Sequence, residues 1–182
     1  MRSGLTFSHM GLFVHDMQRM EDFYTRILEF TVTDRGDLPG PNGPVNVVFT
    51  SRDPDEHHQI VFLTGRPAAV SFNVVNQISL KADSLATLRE MHRRLVAEEV
   101  ASIRPVTYGN ALSVYAPDPE GNRLELYLDM PWYVTQPLSV PVDFSLDDDA
   151  LMAFIEAHAR SLRGFQPRTQ WRAAMARHMG VP

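Results

Sequence analysis

The chain has 182 residues, of which 44% are hydrophobic and 21% are charged, an ordinary globular composition with enough material for a sizeable core. Its net charge of -5 makes duplex nucleic acid and anionic membranes poor partners. Cysteine is absent, so the chain has neither a disulfide framework nor a thiolate metal site. Since the N-terminal segment has no long apolar stretch, we expect neither a signal peptide nor a membrane span, and a cytoplasmic protein.

The first half of the chain predicts a strand, a helix and three further strands. Residues 7–14 (FSHMGLFV) are β-branched and aromatic enough for a buried strand. Asp16 then predicts a helix N-cap. One face of that helix is marked by Met17, Met20, Phe23, Tyr24, Ile27 and Leu28. The three strands that follow are predicted at 30–36, 45–51 and 58–63, separated by turns rich in Pro, Gly and Asp.

The second half repeats this order of elements. Residues 76–82 (NQISLKA) predict a strand, and Asp83 or Ser84 can cap the next helix. Its inner face is predicted from Leu85, Leu88, Met91, Leu95 and Val96. Strands are then predicted at 103–108, 111–116 and 123–128, the last two joined by the turn PDPEGN. The repeated order indicates a duplication at the level of topology.

The character of the sequence changes from Met130 onward. Residues 130–144 hold three prolines and several aromatic residues, which excludes a regular helix or a central strand and predicts an extended arm. An amphipathic helix with an acidic start follows, and its predicted packing residues are Leu151, Phe154, Ile155, His158 and Leu162. Pro167 predicts the start of a last helix around Trp171 and Met175. We expect residues 130–182 to pack on the domain or on a dimer partner.

Three polar residues lie on predicted strands, where an unpaired buried polar group costs about 1–3 kcal/mol. They are His9, Gln77 and Glu125. An imidazole, an amide oxygen and a carboxylate can together hold a divalent metal with open positions for substrate. Each residue also has a structural interpretation: a hydrogen-bonded core histidine, an amide bonded to nearby backbone, and a carboxylate paired with Arg123. The spacing of these residues alone does not decide between a metal-binding role and a structural role.

The element order and these residues resemble the vicinal oxygen chelate superfamily, which includes glyoxalases, extradiol dioxygenases, fosfomycin-resistance enzymes and bleomycin-binding proteins. The resemblance implies an α+β fold in which two tandem βαβββ modules, about 5–65 and 74–129, form an open, bowl-like mixed sheet around a metal site. Residues 1–129 would form this domain, with 130–182 as a C-terminal helical extension. A homodimer or higher homo-oligomer is also implied.

Two segments carry the metal-site resemblance. DPEGNRLELY (118–127) strongly resembles the family signature of the last strand and implies that Glu125 is a metal ligand. SHMGLFVHDMQRMEDFYTRILEF (8–30) is typical of the first strand and helix and implies the same for His9.

Two further residues resemble those of the extradiol dioxygenases. In EHHQIVFL (56–63), His58 precedes the apolar run, where these enzymes carry an acid–base histidine. Tyr115 lies ten residues before Glu125, as their tyrosine does, and strand alternation places it on one face with Ser113. A structural tyrosine is the alternative. His57 is assigned to the turn, facing solvent.

Gln77 departs from the extradiol pattern. The sequence is NQISL where those enzymes have a second metal-binding histidine, and their further histidine near 106–108 is also absent. An amide oxygen suits Fe(II) less well than imidazole does, although some glyoxalases use a glutamine ligand.

Three functions therefore stay open. The first is an extradiol-type dioxygenase acting on a catechol-like aromatic diol with dioxygen and Fe(II). The second is a non-redox glyoxalase- or isomerase-type enzyme with Mn(II), Ni(II), Co(II) or Zn(II). The third is a metal-free protein that binds an aromatic ligand in the bowl.

Overall fold

The computed structural model describes residues 4–41, 43–70 and 72–181. Within these ranges the chain forms four α-helices and eleven strands, which confirms the predicted α+β class. Contacts divide the chain into two compact units. The first unit comprises residues 5–76 and 117–123, and the second unit comprises residues 77–116 and 124–182.

The first unit contains one βαβββ module with a four-stranded sheet. Its elements are β1 (Met10–Val14), α1 (Met17–Asp22) with a π-helical turn (Phe23–Ile27), β2 (Thr31–Leu38), β3 (Val45–Ser51) and β4 (Ile60–Thr64). The strand order is β1-β4-β3-β2, and β1 runs parallel to β4 with Met10 opposite Ile60. His9 therefore lies one residue before β1, whereas the sequence predicted it within the first strand.

The helix of the first unit forms where its capping and apolar signals predict it. Asp16 is the N-cap, and its carboxylate accepts a hydrogen bond from the Arg19 amide at 3.0 Å. Five of the six predicted inner-face residues are buried, and Met17 is half-buried. The Tyr24 ring packs edge-on against Phe62 of β4 at 4.9 Å between centroids. Burying several aromatic and aliphatic side chains between helix and sheet supplies the core of this unit.

The second unit repeats the module. Its elements are β5 (Ile78–Lys81), α2 (Leu85–Ala97), β6 (Arg104–Thr107), β7 (Ala111–Pro117) and β8 (Arg123–Asp129). The strand order β5-β8-β7-β6 copies that of the first sheet, and β5 runs parallel to β8 with Ile78 opposite Leu124. The predicted duplication of topology is thereby confirmed. Gln77, like His9, lies one residue before its strand.

Helix α2 begins at the predicted cap, but its buried face is narrower than predicted. The Ser84 hydroxyl accepts a hydrogen bond from the Thr87 amide at 3.1 Å. Leu88, Met91 and Leu95 are buried, whereas Val96 is 52% exposed. The prediction for Val96 was wrong because one residue corresponds to about 100° of rotation, which turns Val96 away from the stripe formed by the other three.

The tail beyond Met130 contributes short strands and two helices to the second unit. These are β9 (Trp132–Tyr133), β10 (Val140–Pro141), α3 (Asp148–Arg160), β11 (Gln166–Pro167) and α4 (Arg168–Met179). Strand β10 pairs with β6 at the edge of the sheet, the position where a proline is tolerated. Leu151 and Ile155 are buried as predicted, but Phe154 is 43% exposed, so that prediction was wrong. None of the described helices combines the length and apolar character needed to cross a bilayer.

The turn that joins β7 to β8 belongs to the first unit and is held there by polar contacts. The Asp118 carboxylate accepts hydrogen bonds from the amides of Glu120 and Asn122, both at 2.9 Å. The Glu120 carboxylate accepts from the amides of His15 and Asp16 and pairs with Arg66 at 3.1 Å. The acidic residues of PDPEGN therefore hold the turn in place, and this structural role is separate from that of Glu125.

Candidate functional site

In the second unit, two of the predicted site residues, Gln77 and Tyr115, contact the buried carboxylate of a third, Glu125. Glu125 is 8% exposed, and its side chain lies on the same face of the sheet as Ser79 of β5, which stands directly opposite it. Each carboxylate oxygen accepts two hydrogen bonds. The donors to Oε2 are Gln77 Nε2 (2.7 Å) and Ser79 Oγ (2.6 Å), and the donors to Oε1 are Ser113 Oγ and Tyr115 Oη (both 2.9 Å).

All four of these donors are neutral. Within the described part of the chain, Glu125 forms no ion pair, so the structure places a buried carboxylate among amide and hydroxyl groups without a balancing cation. Buried charges in proteins are paired or coordinate metals, because desolvating an isolated charge is expensive. This environment fits a carboxylate whose counter-ion is a bound cation.

The position of Gln77 also fits a metal. Ligand atoms at adjacent positions of an octahedral cation, with bonds of about 2.1 Å, are about 3.0 Å apart. The Gln77 amide nitrogen lies 2.7 Å from Glu125 Oε2, so a half-turn of the amide brings its oxygen to nearly that spacing. Carboxylate and amide oxygens with an imidazole form a donor set for Fe(II), Mn(II) or similar divalent ions.

Tyr115 is tied to both of these residues and to a second phenol. Its hydroxyl lies 2.9 Å from Glu125 Oε1, 3.3 Å from Gln77 Oε1 and 2.5 Å from the hydroxyl of Tyr108. The Arg104 guanidinium lies over the Tyr115 ring, 5.2 Å from its centroid. Burial raises the pKa of the Tyr115 phenol, and the hydrogen bonds with Tyr108 and Glu125 raise it further. Tyr115 is thus a neutral hydrogen-bond donor.

The first unit gathers the histidines. The rings of His9 and His58 lie 4.1 Å apart between centroids, and Nδ1 of His57 lies 2.9 Å from Nδ1 of His58. His57 is exposed, as predicted, while His58 is half-buried. Partial burial lowers the pKa of the His58 imidazole, and the nearby His9 and His57 lower it further. These causes favour the neutral ring of His58, which can accept a proton.

Neither His57 nor His58 lies in a strand, because β4 begins at Ile60. The sequence predicted this strand from residue 58, two residues early, so the difference in exposure between His57 and His58 arises in the turn before β4. Both rings pack against Phe49, at 5.4 Å for His57 and 5.2 Å for His58, but of the two it is His58 that contacts His9.

An apolar surface adjoins the histidines on the first sheet. Phe49 and Val47 lie on one face of β3, and Val47 stands opposite Leu63 of β4, which stands opposite Phe13 of β1. A cavity of about 470 Å³ lies further along this sheet, near the C-terminal ends of β1 and β4, and its described lining contains no histidine. Its apolar lining includes Phe13, Leu38, Pro39, Pro41, Val45 and Leu63. A surface of this kind suits an aromatic or aliphatic ligand.

The predicted site residues thus fall into two sets, with His9 and His58 together in the first unit and Gln77, Tyr115 and Glu125 together in the second. In the described ranges, no group of three or more His, Asp or Glu side chains is placed to hold a metal ion. The candidate ligands His9, Gln77 and Glu125 differ from such a group because one of them is an amide.

Sequence reasoning missed Ser79 and Tyr108, and it placed Ser113 on the face of Tyr115 without predicting its contact with Glu125. Ser79 lies two residues after Gln77, so strand alternation could have placed its hydroxyl on the same face as that of Gln77. Tyr108 lies just beyond β6, outside any strand, and no pattern in the sequence pointed to its contact with Tyr115.

Comparisons with known proteins agree with this fold. The chain is 26% identical over 165 residues to biphenyl-2,3-diol 1,2-dioxygenase 2 of Rhodococcus globerulus, covering 81% of this chain and 82% of that protein. It is 26% identical over 121 residues to lactoylglutathione lyase of Salmonella typhimurium, covering 65% of this chain and 88% of that protein. Among solved structures, a glyoxylase/bleomycin resistance protein/dioxygenase domain from Frankia sp. EAN1pec aligns with a TM-score of 0.57 at 20% identity, covering 71% of this chain and all of that one.

The family match covers most of both modules. Residues 6–126 match the Glyoxalase/Bleomycin resistance protein/Dioxygenase superfamily, which is two thirds of the chain and includes both βαβββ modules up to Glu125. Relatives in this family include a dioxygenase and a lyase. The chain belongs to the Glyoxalase/Bleomycin resistance protein/Dioxygenase superfamily.

Proposed function

We propose that this protein is an extradiol-type, Fe(II)-dependent dioxygenase that cleaves the ring of a catechol-like aromatic diol. The observation that carries the proposal is the phenol of Tyr115 held 2.9 Å from the buried carboxylate of Glu125, beside the amide of Gln77. The dioxygenase relative supports it, because the similarity covers 81% of the chain and so extends beyond the residues of the family match. The Phe49 ring, which packs against His58, offers an apolar neighbour for an aromatic substrate.

In this proposal His9, Gln77 and Glu125 hold the metal. Glu125 supplies the negative charge, Gln77 an amide oxygen and His9 an imidazole nitrogen. A bound Fe(II) supplies the redox chemistry and the open positions that a diol and dioxygen require. Ser79 and Ser113 orient the carboxylate by donating hydrogen bonds to its two oxygens.

The remaining chemistry belongs to two side chains. His58 accepts a proton from a substrate hydroxyl and later returns one to the ring-opened product. Tyr115 donates a hydrogen bond to a substrate oxygen on which negative charge develops. Phe49 and the apolar face of the first sheet exclude water from the aromatic ring.

The proposal is tested by reconstituting the protein anaerobically with Fe(II), adding catechol or 2,3-dihydroxybiphenyl, and admitting oxygen. The expected result is oxygen uptake with formation of a yellow ring-fission product. Metal content of the purified and reconstituted protein is measured first. Failure to take up oxygen across a panel of diols, with iron bound, contradicts the dioxygenase assignment, and failure to bind any metal leaves the ligand-binding function.

His58→Ala is expected to lower kcat by about 100-fold or more, since general acid–base catalysis contributes roughly 10²–10⁴-fold. The metal content should stay unchanged, because His58 is proposed as a proton carrier. Iron analysis and steady-state kinetics check both points. His178→Ala is the control: it removes an exposed imidazole on α4, and kcat is expected to change little. Loss of metal in His58→Ala would make His58 a ligand.

Gln77→His is expected to tighten Fe(II) binding by about tenfold, because imidazole binds Fe(II) more strongly than an amide oxygen does. The dissociation constant is measured by anaerobic titration. Asn76→His serves as the control, since it adds an imidazole at the exposed neighbouring position and should leave the affinity for Fe(II) unchanged. An unchanged affinity in Gln77→His would show that residue 77 is not a ligand.

Gln77 favours a second candidate, a non-redox metal enzyme of the glyoxalase or isomerase type using Mn(II), Ni(II), Co(II) or Zn(II). An amide oxygen suits these chemistries, and a lactoylglutathione lyase is among the relatives. The discriminating observation is turnover without dioxygen: proton transfer in a hemithioacetal or related substrate proceeds anaerobically, whereas ring cleavage does not.

A further inference from the structure

The hydroxyl groups of two tyrosines meet beside the buried carboxylate of the second unit. Tyr108 lies just after β6 and Tyr115 lies within β7, and their oxygens are 2.5 Å apart, with the rings nearly perpendicular at 86°. Tyr115 is 5% exposed, while Tyr108 is half-buried. At this separation the two phenols are hydrogen-bonded to each other.

Counting hydrogens assigns a direction to that bond. The Tyr115 hydroxyl has one hydrogen and also lies 2.9 Å from Glu125 Oε1. A carboxylate oxygen only accepts. The Tyr115 hydrogen therefore points to Glu125, and the hydrogen between the two phenols belongs to Tyr108.

Tyr108 is well placed to hold this arrangement. Its backbone amide donates to the carbonyl of Ala111 at 2.9 Å, and its carbonyl accepts from the side chain of Gln136 at 2.7 Å, so the residue is fixed at both ends. Throughout the described part of the chain, Tyr115 is the one hydrogen-bond partner of the Tyr108 hydroxyl. Nothing else competes for its hydrogen.

We propose that Tyr108 is a positioning residue that orients Tyr115 as a hydrogen-bond donor. Because Tyr108 donates to the Tyr115 oxygen, the Tyr115 hydroxyl directs its hydrogen to Glu125 or to a substrate oxygen. A substrate oxygen that accepts, such as a phenolate or a carbonyl, is then favoured over a hydroxyl that must donate. Donation from Tyr108 also polarises the Tyr115 O–H bond and strengthens the hydrogen bond that Tyr115 donates.

The hydrogen bond itself is tested on the metal-free protein by proton NMR. A strongly deshielded hydroxyl resonance is expected, and it should disappear in both Tyr108→Phe and Tyr115→Phe. Tyr133→Phe is the matched control, because it removes a phenol oxygen but keeps the ring that stacks on Trp171. Persistence of the resonance in Tyr108→Phe, with the variant folded by circular dichroism, would overturn the assignment. This readout does not depend on turnover.

The effect on chemistry rests on the proposed function and is tested by a double-mutant cycle. Tyr108→Phe is expected to lower kcat by about tenfold with KM little changed, in the range found for residues that orient a ligating or catalytic group. In a Tyr115→Phe background the same substitution should have no further effect, because Tyr108 acts through Tyr115. An equal loss of kcat in both backgrounds would overturn the proposal. If no diol is turned over while the resonance behaves as expected, the proposed function fails and the positioning of Tyr115 stands.

Discussion

Glu125→Gln is expected to weaken Fe(II) binding by more than about 100-fold and to abolish ring cleavage. Removing a residue that merely supports a ligand already costs about 10- to 100-fold in metal affinity, and this substitution removes the charge of a proposed ligand. The side chain keeps its size, but its amide cannot accept all four of the hydrogen bonds that Glu125 accepts. Anaerobic titration with Fe(II), followed by activity at saturating metal, measures both effects.

Two variants bracket this result. Ser113→Ala removes one donor to Oε1 but leaves the charge, so its affinity is expected to fall by only about tenfold. Glu156→Gln removes an exposed carboxylate on α3 that pairs with Arg160, and should leave binding unchanged. If Glu125→Gln binds the metal as tightly as Glu156→Gln does, Glu125 is not a ligand and its buried charge has another explanation.

Glu120→Ala is expected to lower the free energy of unfolding by about 3–5 kcal/mol, the usual effect of removing one partner of a buried ion pair. The side chains of Arg66 and Glu120 are only 11% and 7% exposed. Without Glu120, the Arg66 guanidinium stays buried beside Asn73, and the amides of His15 and Asp16 lose their acceptor. Urea unfolding at pH 7 and constant ionic strength gives the difference directly.

Arg35→Ala is the matched control for this prediction. It breaks the Arg35–Glu21 pair, in which the arginine side chain is 58% exposed, and exposed pairs contribute about 0–1 kcal/mol. A similar, small loss in Glu120→Ala and Arg35→Ala would show that the turn between β7 and β8 does not depend on its ion pair.

The sequence was sufficient to predict the fold because the apolar periodicity and the caps agree. Asp16 and Ser84 cap helices where predicted, and the two sheets repeat one strand order. The errors at Val96 and Phe154 have a shared cause: both residues lie at the margin of an apolar stripe, and only the packed neighbours decide which marginal side chain is covered. Five of the eight module strands were predicted to start one to three residues early, since β propensity does not distinguish a paired residue from an extended one.

Much less of the candidate site could be predicted. The types and spacing of His9, Gln77 and Glu125 suggested ligands, but the hydrogen-bonding state of a carboxylate depends on side chains from several strands. Ser79, Ser113 and Tyr115 reach Glu125 from two different strands, and no local pattern specifies that convergence. Tyr108 lies in the hairpin turn between β6 and β7, where neither the helical repeat of 3.6 residues nor the strand repeat of two residues predicts the direction of a side chain.

The matching registers of the two sheets allow the residues of the two halves of the chain to be compared position by position. Aligning Met10 opposite Ile60 with Ile78 opposite Leu124 makes His9 the counterpart of Gln77, and Val61 the counterpart of Glu125. If both halves descend from one copied segment, each has kept a different donor: the first an imidazole without a carboxylate, the second a carboxylate without an imidazole. Val61→Glu together with Gln77→His would restore both donors to each half. Counting the metal ions bound by that variant would then show whether this asymmetry limits the chain to one.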